Sequence, residues 1–506
     1  MGIWPFARHK SDESERLSQL PLIEKFGENL TPNMRALRLS MTMADQLLSM
    51  GVSANSVVSK VLDVTETYCK RPVHIDISSN VVMLSQLRGI EREPLTLIRP
   101  VTLRDTNYRT IQAIQRLIYE IRQGNHTLTN AEEMLKHILE QPKQYPWWVI
   151  TFANASLVAG VTLMYTTSLR AIVTTFCIGI LIDRLLALLT RYGIPAFFRQ
   201  VVAAMTITLV AAAIHAAGKA GMTFFADINP TLLVVGGVVM LVAGLVIVGA
   251  IQDAIEEYYV SANARLTKVI MLTVGIVVGI LIALYTARKL GIGIAVSPDP
   301  LVANVLYYQV LGAVIASAGY SLARHTRLLA VIGVGAVGGI GVAVVSYVTN
   351  FFDISAIPAA GLAAATIGLA AAFISRFWHT PSVGVISGAI VPLVPGLMLY
   401  SGLMQLINYP PSDPLFSKAL GTLFAAVAVA LTIAAGASLG GMIGRPLHQK
   451  LAYTRNATPF VDFMRRQLTS RRKSPLGFFA LGRFKPQHDN TITEVDDDTP
   501  HKLDTR

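Results

Sequence analysis

A chain of 506 residues that is 52% hydrophobic and only 15% charged has too little charge to cover a soluble fold of its size, because soluble proteins average roughly 25% charged residues. The charges crowd before Trp147 and after about residue 445, while the middle is mostly Ala, Val, Leu, Ile and Gly. The net charge of +12 therefore points away from nucleic acid and towards basic segments held on the cytoplasmic side of a membrane.

Residues 1–33 read as a flexible N-terminal arm with no apolar run of signal-peptide length, so the N-terminus is expected in the cytoplasm. From Met34 to Met50 apolar residues recur at helical spacing (Leu37, Met41, Ala44, Leu47, Leu48), and Gly51 stops the helix. Ser53 is placed to cap a second helix holding Val57, Val58, Val61 and Leu62. The period then falls to two: Val73, Ile75 and Ile77 alternate with His74, Asp76 and Ser78, the pattern of a half-buried strand. Val81–Leu87 and Leu95–Val101 are further strands by the same reading. Asp105 is expected to open a helix through Ile114, Leu117, Ile118 and Ile121. Thr129 and Glu132 have capping-box spacing for a last helix to about Glu140. Residues 34–141 thus form a small cytoplasmic α+β domain.

Pro142 to Pro146 is a linker, and Trp147 and Trp148 suit a headgroup interface. About ten apolar stretches follow, each near the length that crosses ~30 Å of hydrocarbon. They run roughly Trp147–Tyr165, Ala171–Thr190, Phe197–Ala217, Leu232–Ile251, Thr267–Thr286, Val302–Leu322, Leu328–Val348, Ile357–Ile374, Val383–Leu406 and Ala419–Ile443. The fold class is an α-helical integral membrane protein, with transmembrane helices 1–5 in 142–301 and 6–10 in 302–444. An even count returns the chain to the cytoplasm. Arg191, Arg199, Arg265, Lys268, Arg324, Arg327 and Arg376 then lie inside, against Arg170, Lys219, Arg288, Lys289 and Lys418 outside. Residues 445–506 form a basic cytoplasmic tail, where Arg465, Arg466, Arg471, Arg472 and Lys473 suit anionic lipid headgroups. Cys69 and Cys177 fall in different regions, so no disulfide is expected.

A shift of 152 positions, the spacing from Gly236 to Gly388, also lays Leu241 on Leu393, Val242 on Val394, Gly244 on Gly396 and Leu245 on Leu397. Helix four thus resembles helix nine. Five helices per half is an odd number, so the second half would insert upside down. Inverted 5+5 repeats are an architecture of secondary transporters.

The most specific run in the apolar region is Val391-Pro392-Leu393-Val394-Pro395-Gly396, followed by Tyr400. Its prolines remove N–H donors and leave carbonyls that lipid cannot satisfy. Such a segment lines a substrate site or is a packing kink; Gly244 marks the matching place in the first half. Gln252 and Asp253 end helix four, with Glu256, Glu257 and Arg265 beyond. A buried Asp253 would couple proton or substrate movement; the plain alternative is a solvated loop. Asp183 and Arg184 interrupt helix two, as an intramembrane charge pair or an early helix end. Adjacent residues point about 100° apart, so the two need not pair. Gln200, His215, Asn304, Gln309 and Asn350 read as caps or interhelical hydrogen bonds. His74 and Asp76 share a strand face, enough for a structural or an acid–base pair but too few for a metal site. No hydrolase, metalloprotease or phosphate-loop motif is present in the sequence, so no cofactor is expected and transport should run on ion gradients.

The ordered set Leu47-Leu48-Ser49-Met50-Gly51, Val73-His74-Ile75-Asp76-Ile77-Ser78, Asp105-Thr106-Asn107-Tyr108, Ile251-Gln252-Asp253, Ser261-Ala262-Asn263-Ala264-Arg265 and Val391 to Tyr400 resembles the threonine/serine exporter (ThrE) family of bacterial inner-membrane carriers. The likeness runs from about residue 35 to 445. It departs where the family's His-Val-Asp-Ile-Thr reads His74-Ile75-Asp76-Ile77-Ser78, and where Ala254 replaces a glycine. The resemblance implies export of L-threonine and L-serine with protons, and second a dicarboxylate such as succinate. It also brings a suggestion that the N-terminal domain is hydrolase-like, which His74, Asp76 and Asp105 alone do not carry. Oligomeric state, including a homo-oligomer, is left open.

Overall fold

The computed structural model describes residues 31–455 apart from 70, 79, 89–92, 103, 141–144, 227, 242–243, 293–303, 379–381 and 410–411. The expected arm and the arginine cluster of the tail lie outside the described residues.

Thr31 opens helix α1 (Pro32–Ser49) by accepting the Met34 N–H, and Pro32 sits in the first turn where its missing donor costs nothing. Gly51 follows with φ +89°, a left-handed conformation that reverses the chain into α2 (Ala54–Tyr68). Three strands then form an antiparallel meander, β1 (Val73–Ser78), β2 (Val81–Gln86) and β3 (Leu95–Pro100), in that order. Val73 pairs with Gln86 and Val82 with Arg99. Val73, Ile77, Val82 and Leu84 turn one face inward. That face meets Leu37, Met43 and Leu47 of α1 and Ile111, Ile114, Leu117 and Ile121 of α3 (Tyr108–Arg122), all in one buried cluster.

Two local expectations are corrected here. Asn107, not Asp105, caps α3: its side chain accepts the N–H groups of Arg109 and Thr110. A cap must stand one residue before the first turn to reach those donors, and Asp105 stands too early. Helix α4 (Leu128–Glu140) begins at Leu128, with Thr127 Oγ1 accepting the Asn130 N–H. Thr129 and Glu132 are therefore not a capping box. They hold Arg35 instead, whose guanidinium reaches Glu132 Oε2 at 2.5 Å and Thr129 Oγ1 at 3.2 Å. The same spacing serves a tertiary ion pair.

Cys69 lies 9% exposed, and burial pushes its thiol up to about 11. The thiolate is the reactive form, so ionisation alone slows its alkylation at pH 8 by about a hundredfold relative to an ordinary thiol. Mass spectrometry after maleimide treatment of the intact protein is expected to find Cys69 unlabelled until denaturant is added. Early labelling would contradict this packing.

From Trp147 onward the described residues are helical. The elements are α5 (Trp147–Leu163), α6 (Leu169–Arg191), α7 (Ala196–Lys219), α8 (Pro230–Val239), α9 (Gly244–Ile255), α10 (Tyr259–Lys289), α11 (Leu306–Ala323) and α12 (Leu328–Phe351). They continue with α13 (Ala356–Trp378), α14 (Ser382–Ile390), a 3-10 turn (Val391–Leu393), α15 (Gly396–Asn408) and α16 (Pro414–Arg455). Seven are long and apolar enough to cross a membrane: α6, α7, α10, α11, α12, and the segments Ala356–Ser375 and Pro414–Gly444. Shorter apolar helices are Trp147–Leu163, Pro230–Val239, Val246–Ile255 and Ser382–Leu393. Leu329, Ile332, Phe424, Leu431 and Met442 stand exposed, as lipid-facing side chains do. The chain is thus a multi-pass integral membrane protein.

With lipid no less apolar than a leucine core, such helices associate by close packing of small residues. One such close crossing is α5 on α11. A Cβ added to Gly160 would sit 2.6 Å from Ala316 N and 2.7 Å from Gly312 O. One added to Gly312 would sit 2.5 Å from Gly160 O, and one on Gly319 2.6 Å from Ala153 O. Gly275 of α10 likewise faces the Phe197 carbonyl of α7.

Candidate functional site

Two helices are interrupted. In the first, Asn229 caps α8 by accepting the Thr231 N–H, the helix ends at Val239, and α9 starts at Gly244. The Leu241 carbonyl, which falls in the interruption, accepts from Gln200 Nε2 at 3.1 Å. In the second, α14 ends at Ile390 and tightens into the 3-10 turn with Pro392 in it. Val394 is extended, Pro395 caps, and Gly396 starts α15. Neither proline can donate to the preceding turn, so the helix cannot run on. Gln200, expected as a cap or an interhelical hydrogen bond, makes the latter: it satisfies a carbonyl that the break releases, a partner that no local pattern shows.

The two interruptions come together. Val239, at the end of α8, and Val391, just after α14, both pack on Leu157, Val161 and Ala316 at the α5–α11 crossing. Tyr165 joins the same cluster and also touches the one holding Leu393. Glycines fix each broken helix in place. Gly236 of α8 presses on Thr162 of α5 and Thr175 of α6, and Gly388 of α14 presses on Ser321 of α11 and Val334 of α12. Pro392, Pro395 and Gly396 lie in the second break and Gly244 begins α9; Leu393, Val394 and Met398 around the second break pack against the buried cluster that holds Val248 of α9. Tyr400 lies on α15, in the turn after Gly396.

Asp253 and Arg265 form a second locus. Asp253 is nine residues beyond Gly244, about 14 Å along α9 at the helical rise. It is 0% exposed, with Arg265 Nε 3.2 Å from its Oδ2. Arg265 Nη2 donates to the Val52 carbonyl at 3.4 Å, and the start of α2 at Ala54 faces the carboxylate. The pair therefore sits where the N-terminal region meets α9 and α10, away from the breaks. Gln252 donates to Glu256 Oε1 at 3.3 Å.

Asp183 is 8% exposed and fully engaged. Thr151 Oγ1 donates to it at 2.8 Å, Asn154 Nδ2 at 2.7 Å and Arg184 at 2.5 Å. Arg184 does pair with its neighbour, because its side chain folds back and lays the guanidinium 4.8 Å over the Trp147 ring. This network ties α5 to α6.

The run Asp105 to Tyr108 is a docking edge. Thr106 Oγ1 donates to the Met50 carbonyl at 3.0 Å, and the Tyr108 N–H donates to the Arg324 carbonyl at 3.1 Å. The Tyr108 ring lies against Gly384 of α14. Its hydroxyl meets Ser387 and Tyr320, and burial holds the phenol well above its ordinary value. Tyr145 completes the grip: its hydroxyl donates to the Thr326 carbonyl at 2.9 Å, and its ring stacks on His325. His74 and Asp76 stand on the exposed face of β1, opposite Ser85 and Met83. Among the described residues no group of three or more His, Cys, Asp or Glu is placed to hold a metal.

An apolar helical body with two broken helices meeting at one close helix crossing defines the class: a membrane transporter. The ThrE family profile, described as "Putative threonine/serine exporter", matches residues 38–287, and a second, "Threonine/Serine exporter, ThrE", matches 309–443. A "Probable threonine/serine exporter" from Mycobacterium tuberculosis is 30% identical over 82% of this chain and 77% of its own length. A "Threonine/serine exporter" from Corynebacterium glutamicum is 26% identical over 82% of this chain and 83% of its own. No solved structure matches the chain. The chain belongs to the threonine/serine exporter family, a family of transporters and not of enzymes.

Proposed function

We propose that this protein is a secondary exporter of L-threonine and L-serine, driven by the proton motive force across a bacterial inner membrane. The observation that carries the mechanism is the convergence of the two broken helices on the α5–α11 crossing. Each break presents the N-terminal end of one helix and the C-terminal end of another. The N-terminal ends of α9 and α15 suit the substrate carboxylate, and the carbonyl ends of α8 and α14 suit its ammonium group.

An inverted repeat of five helices and five supports this reading. Gly160 and Gly312 are separated by the same 152 positions as Gly236 and Gly388. A pseudo-two-fold axis exchanges such partners, and a pair lying on the axis makes a reciprocal contact, as Gly160 and Gly312 do. The two family profiles also divide the chain between α10 and α11. On this reading the shorter apolar helices complete three crossings: α5, the pair α8 and α9, and the pair α14 and α15. The N-terminal domain then contacts the end of α9, the start of α10, the end of α11 and the start of α14, all on one side in a ten-helix path. Both termini are placed in the cytoplasm by that path. The buried Asp253–Arg265 pair is the proton-coupling locus.

Counterflow in proteoliposomes tests the proposal. Vesicles loaded with unlabelled threonine or serine are expected to take up the labelled amino acid transiently, and vesicles under an imposed proton gradient are expected to accumulate it until uncoupler is added. Absence of exchange of both amino acids would remove the substrate assignment, and accumulation insensitive to uncoupler would remove the proton coupling.

A further inference from the structure

The turn between α11 and α12 carries polar groups that the breaks do not use. Arg324 is half-buried, its Nε lies out of water, and no hydrogen-bond acceptor among the described residues meets that nitrogen. Thr326, two residues on and 1% exposed, has a buried hydroxyl without a partner among the described residues. Tyr320, Asp105 and Tyr108 surround the guanidinium. Its Cζ is 5.4 Å from the centre of the Tyr320 ring. Asp105 stands exposed at the lip and acts on Arg324 through space, yet among the described residues the two form no ion pair within 4.0 Å.

A guanidinium withdrawn from water without a full set of acceptors is costly to maintain. Arg is also the side chain best shaped to grip a carboxylate with two parallel donors. The Asp105 carboxylate, of opposite sign, acts on it from beyond ion-pair distance. A cation and an anion held apart match the two ends of an α-amino acid zwitterion.

We propose that Arg324 and Asp105 form a capture site for the zwitterionic substrate at the face covered by the N-terminal region, Arg324 taking the carboxylate and Asp105 the ammonium. The inference rests on the exporter reading above. The site adjoins the breaks: Tyr320 reaches from Arg324 to the cluster that holds Val239 and Val391, and Ser387 lies three residues before the end of α14. Ser387, which the Tyr108 hydroxyl meets, stands about one helical turn before the second interruption.

The experiment is counterflow of labelled serine against two competitors, serinamide, which lacks the carboxylate, and glycerate, which lacks the ammonium group. The wild-type protein is expected to prefer serine over both by about tenfold or more, because a site built for a charged group rejects the analogue lacking it. Arg324→Gln is expected to raise the half-saturating serine concentration and to reduce the serine-over-serinamide preference towards one. Asp105→Asn, at an exposed position where folding is not at risk, is expected to do the same for glycerate. If the wild type exchanges serine while both variants keep its preferences, the capture site is wrong. If R324Q does not fold, retained discrimination against glycerate in D105N overturns the proposal by itself. If the wild type exchanges no serine, the exporter reading fails instead.

Discussion

Asp253→Asn protein is expected to exchange labelled threonine across a vesicle membrane but to lose gradient-driven transport, by roughly tenfold or more, the scale of losing one partner of a buried ion pair. The reasoning is local. Asp253 is sealed at 0% exposure between α9, Arg265 and the start of α2. Neither of its carboxylate oxygens has a well-aligned hydrogen bond, so the pair rests on charge alone. Protonation removes that charge and frees Arg265; asparagine is frozen in the uncharged state and cannot cycle. Arg265 keeps its bond to the Val52 carbonyl, so the domain contact survives and exchange continues. Side-by-side assays of counterflow and of uptake under an imposed pH gradient separate the two. Normal gradient-driven flux in D253N would take Asp253 out of the mechanism.

Gly160→Val and Gly312→Val are expected to abolish recovery of folded protein. The obstacles are backbone atoms, Ala316 N at 2.6 Å and Gly160 O at 2.5 Å from the added Cβ, and no side-chain rotation relieves them. Overpacking in ordinary cores costs about 1–3 kcal/mol, and a crossing built on backbone contact has less room to give. Gly421→Ala is the control. A Cβ there meets nothing within 4 Å, and alanine in a helix interior is worth up to about 1 kcal/mol over glycine. Melting temperature and monodispersity in detergent report both effects. A G160V protein as stable as G421A would show that α5 and α11 are not in backbone contact.

Much of the architecture was legible because it is written in local periods. Val73, Ile75 and Ile77 alternate and form a strand; the apolar stretches became helices; Pro392 and Pro395 broke one, as missing donors must. The reading failed where one spacing has two uses. Thr129 and Glu132 fit a cap but hold Arg35, and Asp105 stood near a helix start that Asn107 owns. It was silent on contacts between distant segments. Arg265 and Val52 are 213 residues apart, and nothing in the neighbourhood of either announces the other. The same holds for Gln200 under Leu241, and for Tyr165, which looked like a span end and lies half-buried beside the breaks. Asp253 stood out in the sequence by its charge after an apolar run, but its partner Arg265 and its distance from the breaks required the fold.

The N-terminal region holds Arg265 near the start of α10 and Arg324 at the end of α11. A rigid body fastened at two such points resists any rocking that spreads them. One fastening must loosen whenever that face opens. Thermodynamic linkage then makes the effect mutual: whatever binds tightly at Arg324 changes the work of releasing Arg265 and Asp253, and protonating Asp253 changes affinity at Arg324 by the same factor. Two ligands that never touch would thus be tied together by the N-terminal region that both contacts share.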